Sequence, residues 1–244
     1  MKTNNKLKKS IFNIKILDIS LHEILWYFIL FSIAGLLMET FYCYHTTGVL
    51  ESRKGLIFGP FCPIYGIGAT FLIIVLNKYK KSPLKLFIYG IFLGSILEYF
   101  MSFVLEAIYG TRFWDYSYLD LNLNGRISLI YSIFWGILSI FLMRFLKPLL
   151  DKLIFKISNK ITFTIDLGLT IFLIFDVIAT IYALSIYKTK AINTYYNLPQ
   201  PTYSAFLTFI NNNIFSDSYI MKSFPNIRFV DKSGKEIFVR DVLN

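Results

Sequence analysis

Apolar positions fall into five long runs, near 22–44, 59–76, 84–105, 127–148 and 164–187, separated by short polar connections. A helix needs roughly 17–25 predominantly apolar residues to cross a bilayer, and each run reaches or approaches that length. The pattern predicts an all-α integral membrane protein, a bundle of about five transmembrane helices. The first run is no cleavable leader, because it contains Glu39 and lacks a small-residue cleavage site.

The second run is the irregular one. The stretch RKGLIFGPFCPIYGIGA, Arg53 to Ala69, opens on two cations and carries two prolines and four glycines at the mouth of an apolar segment. Broken backbone at membrane depth is tolerated only where it is buried in protein or lines a polar cavity, and transporters use such breaks to aim free amides and carbonyls at a solute. On that reading Gly59, Pro60 and Pro63 give an irregular or re-entrant segment. The alternative is a plain turn with proline in the first turn of the helix that follows. Both readings stand on the sequence.

The third run carries a polar stripe. Ser95, Glu98, Ser102 and Glu106 are spaced i, i+3, i+7 and i+11, one face at 3.6 residues per turn. Glu39 lies near the outer end of the first run. A charged side chain at a helix centre costs roughly 2.5–3.5 kcal/mol on insertion scales and normally faces a bundle interior or cavity. Two carboxylates on separate spans point to a shared outer-leaflet site, with Arg126 and Lys54 or Arg53 as counter-ions; a structural ion pair pinning the helices is the alternative. Asp176, near the middle of the fifth run with Thr180 one turn on, belongs either to a proton path or to a contact with neighbouring helices. Asp166 reads as a helix-start residue.

Composition agrees with the runs. The 244 residues are 55% hydrophobic and 16% charged, with mean hydropathy +0.56, against an apolar share of roughly 45–50% in soluble domains. The net charge of +10 would suggest nucleic acid, but the cations cluster between apolar runs rather than on an amphipathic face. Fourteen Lys and Arg lie in the N-terminal arm and the second and fourth connections, against four in the first and third. The positive-inside rule then places the N-terminus in the cytoplasm of a multi-pass cell-membrane protein, with the tail outside after an odd number of spans.

Catalytic signatures are sparse. The chain has no Gly-x-Ser-x-Gly, His-Glu-x-x-His or Cys-x-x-Cys, and no G-x-x-x-x-G-K-[ST] phosphate loop, so nucleotide-driven work requires a second polypeptide. No metal or cofactor set emerges; His22 and His45 stand at opposite ends of the first run. Cys43 and Cys62 sit at the outer ends of adjacent runs, where a disulfide or two inert thiols are the alternatives. Trp114, Asp115 and Tyr116 read as interfacial aromatics around an acid, suited to an aromatic belt or to a head group.

The stretches GLLMETFYC, GLIFGPFCPIYGIGA, LEYFMSFVLEAIYGTRFWDYSYLDLNLNGRISL and SYIMKSFPNIRF, with Trp135-Gly136, together resemble the ABC-transporter type IV permease family, also called the CmpB family. The resemblance runs from about 35 to 229 and rests on G-P-x-C-P-I-Y-G, which includes Tyr65, on W-D-Y-S and on N-L-N-G-R-I. It implies a transport component beside a separate ATPase subunit. One departure is visible: the family usually places Asn-Arg-Gly ahead of the Gly-Pro, whereas this chain has Arg53-Lys54-Gly55. Lysine lacks the planar bidentate fork of arginine, so Arg53 is the residue left to compensate.

These readings divide the chain into a basic arm at 1–21, a transmembrane domain at 22–187 and a tail at 188–244. In the tail YSAFLTFI reads as a segment lying on the bilayer surface, and 226–241 alternates as a β-hairpin. The expected function is a permease-like transport component with a substrate pocket near the outer leaflet, drawn from Glu39, Arg53, Lys54, Gly59, Pro60, Tyr65, Glu98, Glu106, Asp115, Asn124 and Arg126. The partners expected are a separate ATPase subunit, membrane lipid and further copies of the chain, with no nucleic acid. Two other readings remain open: a membrane-embedded enzyme or lipid-binding factor using Glu98 or Asp115 as general base, and a non-catalytic assembly or sensor subunit.

Overall fold

The computed structural model describes residues 12, 14–109, 114–156 and 162–243. Most of the basic arm, Arg112 in the third connection and Lys160 lie outside the described residues.

A short hairpin, β1 (Lys15–Ile16) and β2 (Ile19–Ser20), leads into α1 (Leu21–Thr47). Leu17 and Asp18 both take positive φ between the strands, the geometry of a tight two-residue hairpin turn. Ser20 and Glu23 then close a capping box: the Ser20 amide and hydroxyl donate to Glu23 Oε2 at 2.8 and 2.6 Å, while the Glu23 amide donates to Ser20 Oγ at 3.3 Å. Gly48, with φ +72°, ends the helix as its left-handed cap and donates its amide to the Tyr44 carbonyl.

The chain stays non-helical until Pro63, which opens α2 (Pro63–Leu76); a 3₁₀ turn, Asn77–Tyr79, extends it. The helix therefore begins four residues later than the run near 59–76 suggests. Then come α3 (Pro83–Tyr109), the hairpin β3 (Asn122–Leu123) and β4 (Ile127–Ser128), and α4 (Leu129–Phe141), which continues through a π-helical segment, Leu142–Leu146, into α5 (Lys147–Lys156). Among the described residues, four helical stretches are long and apolar enough to cross a membrane: Leu21–Thr47, Pro83–Ala107, Leu129–Ile154 and Phe163–Tyr195; Pro63–Tyr79 is apolar but shorter.

The last long helix, α6 (Thr162–Tyr195), has 34 residues. At 1.5 Å per residue it is about 51 Å long, well beyond a hydrocarbon core of about 30 Å. The tail adds α7 (Ala205–Asn213), α8 (Asp217–Ser223), the hairpin β5 (Arg228–Val230) and β6 (Glu236–Phe238), and α9 (Val239–Leu243). The hairpin falls inside the 226–241 stretch that the alternation marks.

The described chain divides into two compact units. Unit 1 comprises Met1–Ala34, Pro63–Val104 and Trp114–Phe172; unit 2 comprises Gly35–Cys62, Leu105–Phe113 and Leu173–Asn244. Tyr27, Leu72, Ile73, Leu76, Leu86 and Leu142 anchor the core of unit 1. Small residues bring its helices close. A Cβ on Gly90 would meet Ser139 Oγ at 2.4 Å, one on Gly94 the Trp135 ring at 2.4 Å, and one on Gly136 the Phe87 ring at 2.8 Å. This is membrane-type packing, in which glycine lets backbones approach and dispersion contacts substitute for the hydrophobic effect.

In unit 2 the core gathers Ile57 from the α1–α2 connection, Ala179, Ala183, Tyr187 and Ala191 from α6, and Ile220, Phe229 and Val239 from the tail. Ala179, Ala183, Tyr187 and Ala191 follow at intervals of four, so one face of α6 receives both the connection and the tail. That contact brings the connection and the tail together on α6.

Candidate functional site

The stripe on α3 organises unit 1. Gly90, Gly94 and Glu98 follow at intervals of four, so the glycines that admit α4 also aim the carboxylate at it. Trp135 rests on Gly94, and its indole Nε1 donates to Glu98 Oε2 at 2.9 Å. From the connection between α3 and α4, the Tyr116 hydroxyl donates to Glu98 Oε1 at 2.8 Å. Both oxygens of a carboxylate only 9% exposed thus accept from uncharged donors. Burial, followed by the neighbouring Glu98 charge, pushes the Tyr116 phenol well above the usual tyrosine range, so it keeps its proton and acts as a donor.

The connection is built to present that donor. Asn124 and Gly125 take positive φ and turn the β3–β4 hairpin, while the Tyr116 amide bonds the Gly125 carbonyl at 2.8 Å. Tyr116 stacks on Tyr131, with centroids 4.4 Å apart. The Trp114 indole donates to the Arg126 carbonyl at 3.1 Å. The Arg126 guanidinium is buried, donates from Nη1 to Ser102 Oγ at 3.0 Å, and lies 5.8 and 5.7 Å from the Tyr99 and Phe103 ring centroids. Asn124 Nδ2 donates to the Tyr99 hydroxyl at 3.0 Å. Glu98, Asn124 and Arg126 therefore share one scaffold with Ser102. Asp115 turns back on its own loop, accepting from the Ser117 amide and hydroxyl at 2.9 and 2.6 Å. Tyr65 is exposed on α2.

The other predicted site residues, Glu39, Arg53, Lys54, Gly59, Pro60 and Glu106, belong to unit 2. There the broken segment has definite anchors. The Ile57 amide donates to Thr180 Oγ1 at 2.9 Å and the Phe58 amide to Asp176 Oδ1 at 2.9 Å, while the Tyr219 hydroxyl donates to the Ile57 carbonyl at 3.1 Å. Asp176 is fully buried, and its Oδ2 has no hydrogen-bond partner among the described residues. The Gly55 amide closes the loop onto the Phe61 carbonyl at 2.8 Å. Gly59 sits at φ +71°, and a Cβ there would lie 2.5 Å from the Phe61 ring. The backbone is non-helical here, its Ile57 and Phe58 amides are held by side chains of α6, and Pro63 opens the helix that follows.

Arg53 donates from Nη2 to Cys43 Sγ at 2.6 Å and lies 3.9 Å from Glu51 Oε2. Glu51 also accepts from Asn226 Nδ2 at 3.0 Å and Arg240 Nη1 at 3.4 Å. Cys43 and Cys62 are buried, and no disulfide joins them. Among the described residues no group of three or more His, Cys, Asp or Glu is placed to hold a metal ion.

Sequence reasoning missed a polar cluster in unit 1. Asp166 is no helix-start residue: it is the fifth residue of α6, fully buried, pairing with His22 Nδ1 at 2.7 Å and accepting from Trp26 Nε1 at 3.0 Å. Asp151 accepts from the Tyr27 hydroxyl and from Lys147 Nζ, the latter at 2.8 Å. Only the i, i+4 spacing of Lys147 and Asp151 was available as a signal.

The profile of the family described as "Putative ABC-transporter type IV" matches residues 26–181, well over half of the chain. The chain belongs to that family. With its membrane-length helices, it is a membrane transport component. The matched region takes in the Glu98 scaffold, the broken segment and Asp176. Comparison with curated proteins and with solved structures yields no match.

Proposed function

We propose that the chain is the permease-like subunit of an ABC-type transport system, working with a separate ATPase polypeptide, and that Glu98 is the centre of its substrate site near the outer leaflet of the cell membrane. The observation that carries this is the Glu98 carboxylate, buried in an apolar span and held by two neutral donors on a precisely packed glycine interface. An intramembrane acid without such a role would be a net cost. A carboxylate between a phenol and an indole, with a guanidinium bonded to Ser102 of the same stripe, suits a polar solute bearing a positive group. Family membership and the missing phosphate loop support the separate ATPase.

Connectivity supports five crossings. If α2 turned back without crossing, α6 would end on the face opposite the α1–α2 connection; yet the tail after α6 packs on Ile57 of that connection. With the N-terminus cytoplasmic, connection and tail are both outside.

Purification of the tagged chain from its native membrane tests the assignment. The reading expects a co-purifying polypeptide that carries a nucleotide phosphate loop; its repeated absence under mild solubilisation would sink the ABC part. A cysteine at Ser117 should react with an impermeant thiol reagent in intact cells and one at Ser82 should not, and the reverse pattern would move the site to the cytoplasmic face.

A further inference from the structure

The tail of unit 2 carries a feature that the transport reading leaves unused. On α7 the rings of Phe206 and Phe209, one turn apart, are 71% and 61% exposed. The helix is tied to α6 through Asn211, whose Oδ1 accepts from the Tyr182 hydroxyl at 3.2 Å. Tyr182 lies at a boundary on α6. Before it runs an exposed apolar stripe of Ile171, Ile174, Phe175, Ile178 and Ile181; after it come Lys188 and Lys190. The exposed face of α7 is therefore on a helix tied to α6 at the residue where its exposed apolar stripe gives way to lysines. Aromatic rings with one apolar side favour such a boundary.

Beside this helix lies a polar cavity of about 350 Å³, lined by Lys190, Asn211, Asn212, Ser216, Asp217 and Ser218. Two observations make it more than a surface dent. Asn211 Nδ2 is buried and has no hydrogen-bond partner among the described residues, although its oxygen is engaged. Lys190 and Asp217 form an ion pair across the lining, and both are about two-fifths exposed. An exposed pair of this kind is worth little by itself, so a ligand carrying both charges can separate it at small cost.

We propose that the cavity binds the head group of a zwitterionic aminophospholipid, with its acyl chains lying along Phe206, Phe209 and the α6 stripe. The phosphate accepts from Lys190 and from Asn211 Nδ2, and the ammonium donates to Asp217. An unused buried amide donor is the group a phosphate oxygen completes. The cavity is small for a soluble ligand but adequate for a head group whose chains remain outside it. This assignment is independent of the Glu98 site.

The test uses the full-length chain in nanodiscs of phosphatidylethanolamine and phosphatidylglycerol. A nitroxide on Phe209→Cys, with Cys43 and Cys62 left buried, should be relaxed more by oxygen than by a water-soluble nickel chelate. Stronger relaxation by the chelate, as on a face open to water, or protection from both reagents, as under a protein partner or a second copy, would overturn the lipid assignment. After extraction, native mass spectrometry should find the ethanolamine lipid retained over the glycerol lipid by about tenfold. Lys190→Met should abolish that preference, and Asp217→Asn should weaken it even if the Lys190 variant does not fold. Equal retention of the two lipids by the wild type would overturn the head-group site, as would full displacement by deacylated glycerophosphoethanolamine, which would make the ligand a soluble one.

Discussion

Glu98 and Asp176 are both carboxylates buried in apolar helices, yet their oxygens are treated differently. Each oxygen of Glu98 meets a side-chain donor, Tyr116 or Trp135, delivered by a helix interface and a loop shaped for the purpose. Asp176 uses one oxygen to hold the Phe58 backbone amide, beside a threonine that holds the Ile57 amide, and its other oxygen has no partner among the described residues. The first acid is centred in a rigid side-chain frame; the second fastens a stretch of broken backbone. Removing Glu98 should thus disturb a site, whereas removing Asp176 should release a loop.

The largest expected effect lies at the frame. Gly94→Leu would drive a side chain into the Trp135 ring, 2.4 Å from where the first added carbon must sit. Overpacking at such a contact costs about 3 kcal/mol. The melting temperature of the purified protein should fall steeply, and Trp135 should lose its bond to Glu98. A variant as stable as the wild type would mean that the α3–α4 contact is not tight.

Next come substitutions that separate the two acids. Glu98→Leu strands two half-buried donors, at up to about 1–3 kcal/mol each, and should lower global stability. Asp176→Ala should instead loosen Ile57 and Phe58, seen as faster tryptic cleavage after Arg53 and Lys54 with a smaller change in melting temperature; Asp176→Asn, which retains an acceptor, should restore the wild-type rate. Equal cleavage in the Glu98 and Asp176 variants would erase the distinction.

What the sequence revealed follows from the range of each signal. Apolar runs and the Ser95–Glu98–Ser102 stripe are local periodicities, and they located the spans and the acid. The partner of Glu98 required knowing that Gly94 lets Trp135 approach, a contact between helices 41 residues apart along the chain. Trp114 and Tyr116 look like belt aromatics around Asp115, but their polar tips are what matter, while Asp115 closes its own turn on Ser117. His22 and Trp26 meet Asp166 across some 140 positions, beyond any local pattern. The break at Gly59-Pro60 was legible as a break, whereas its anchors on α6 and α8 depend on tertiary packing.

A smaller effect tests unit 2 at its edge. Asp231 accepts from the Ser233 hydroxyl and amide and the Lys235 amide, and these bonds, the hydroxyl first, hold its carboxyl below the usual 3.8. A depressed pKa in the fold means that the hairpin gains from the charge above the unfolded value and loses that gain as pH falls through the folded one. Hydrogen exchange of residues 228–238, corrected for intrinsic rate, should accelerate below about pH 4. Asp231→Asn should flatten that dependence, and an unchanged profile would remove the turn's role.

The proposed transport role requires the Glu98 charge itself, not only its packing. Glu98→Gln preserves the side chain's shape and an acceptor, so the purified variant should melt within a few degrees of the wild type. Complementation of a strain lacking the chain, at matched expression, reads this out: Glu98→Gln should lose function with the fold retained. Full complementation by Glu98→Gln would contradict it.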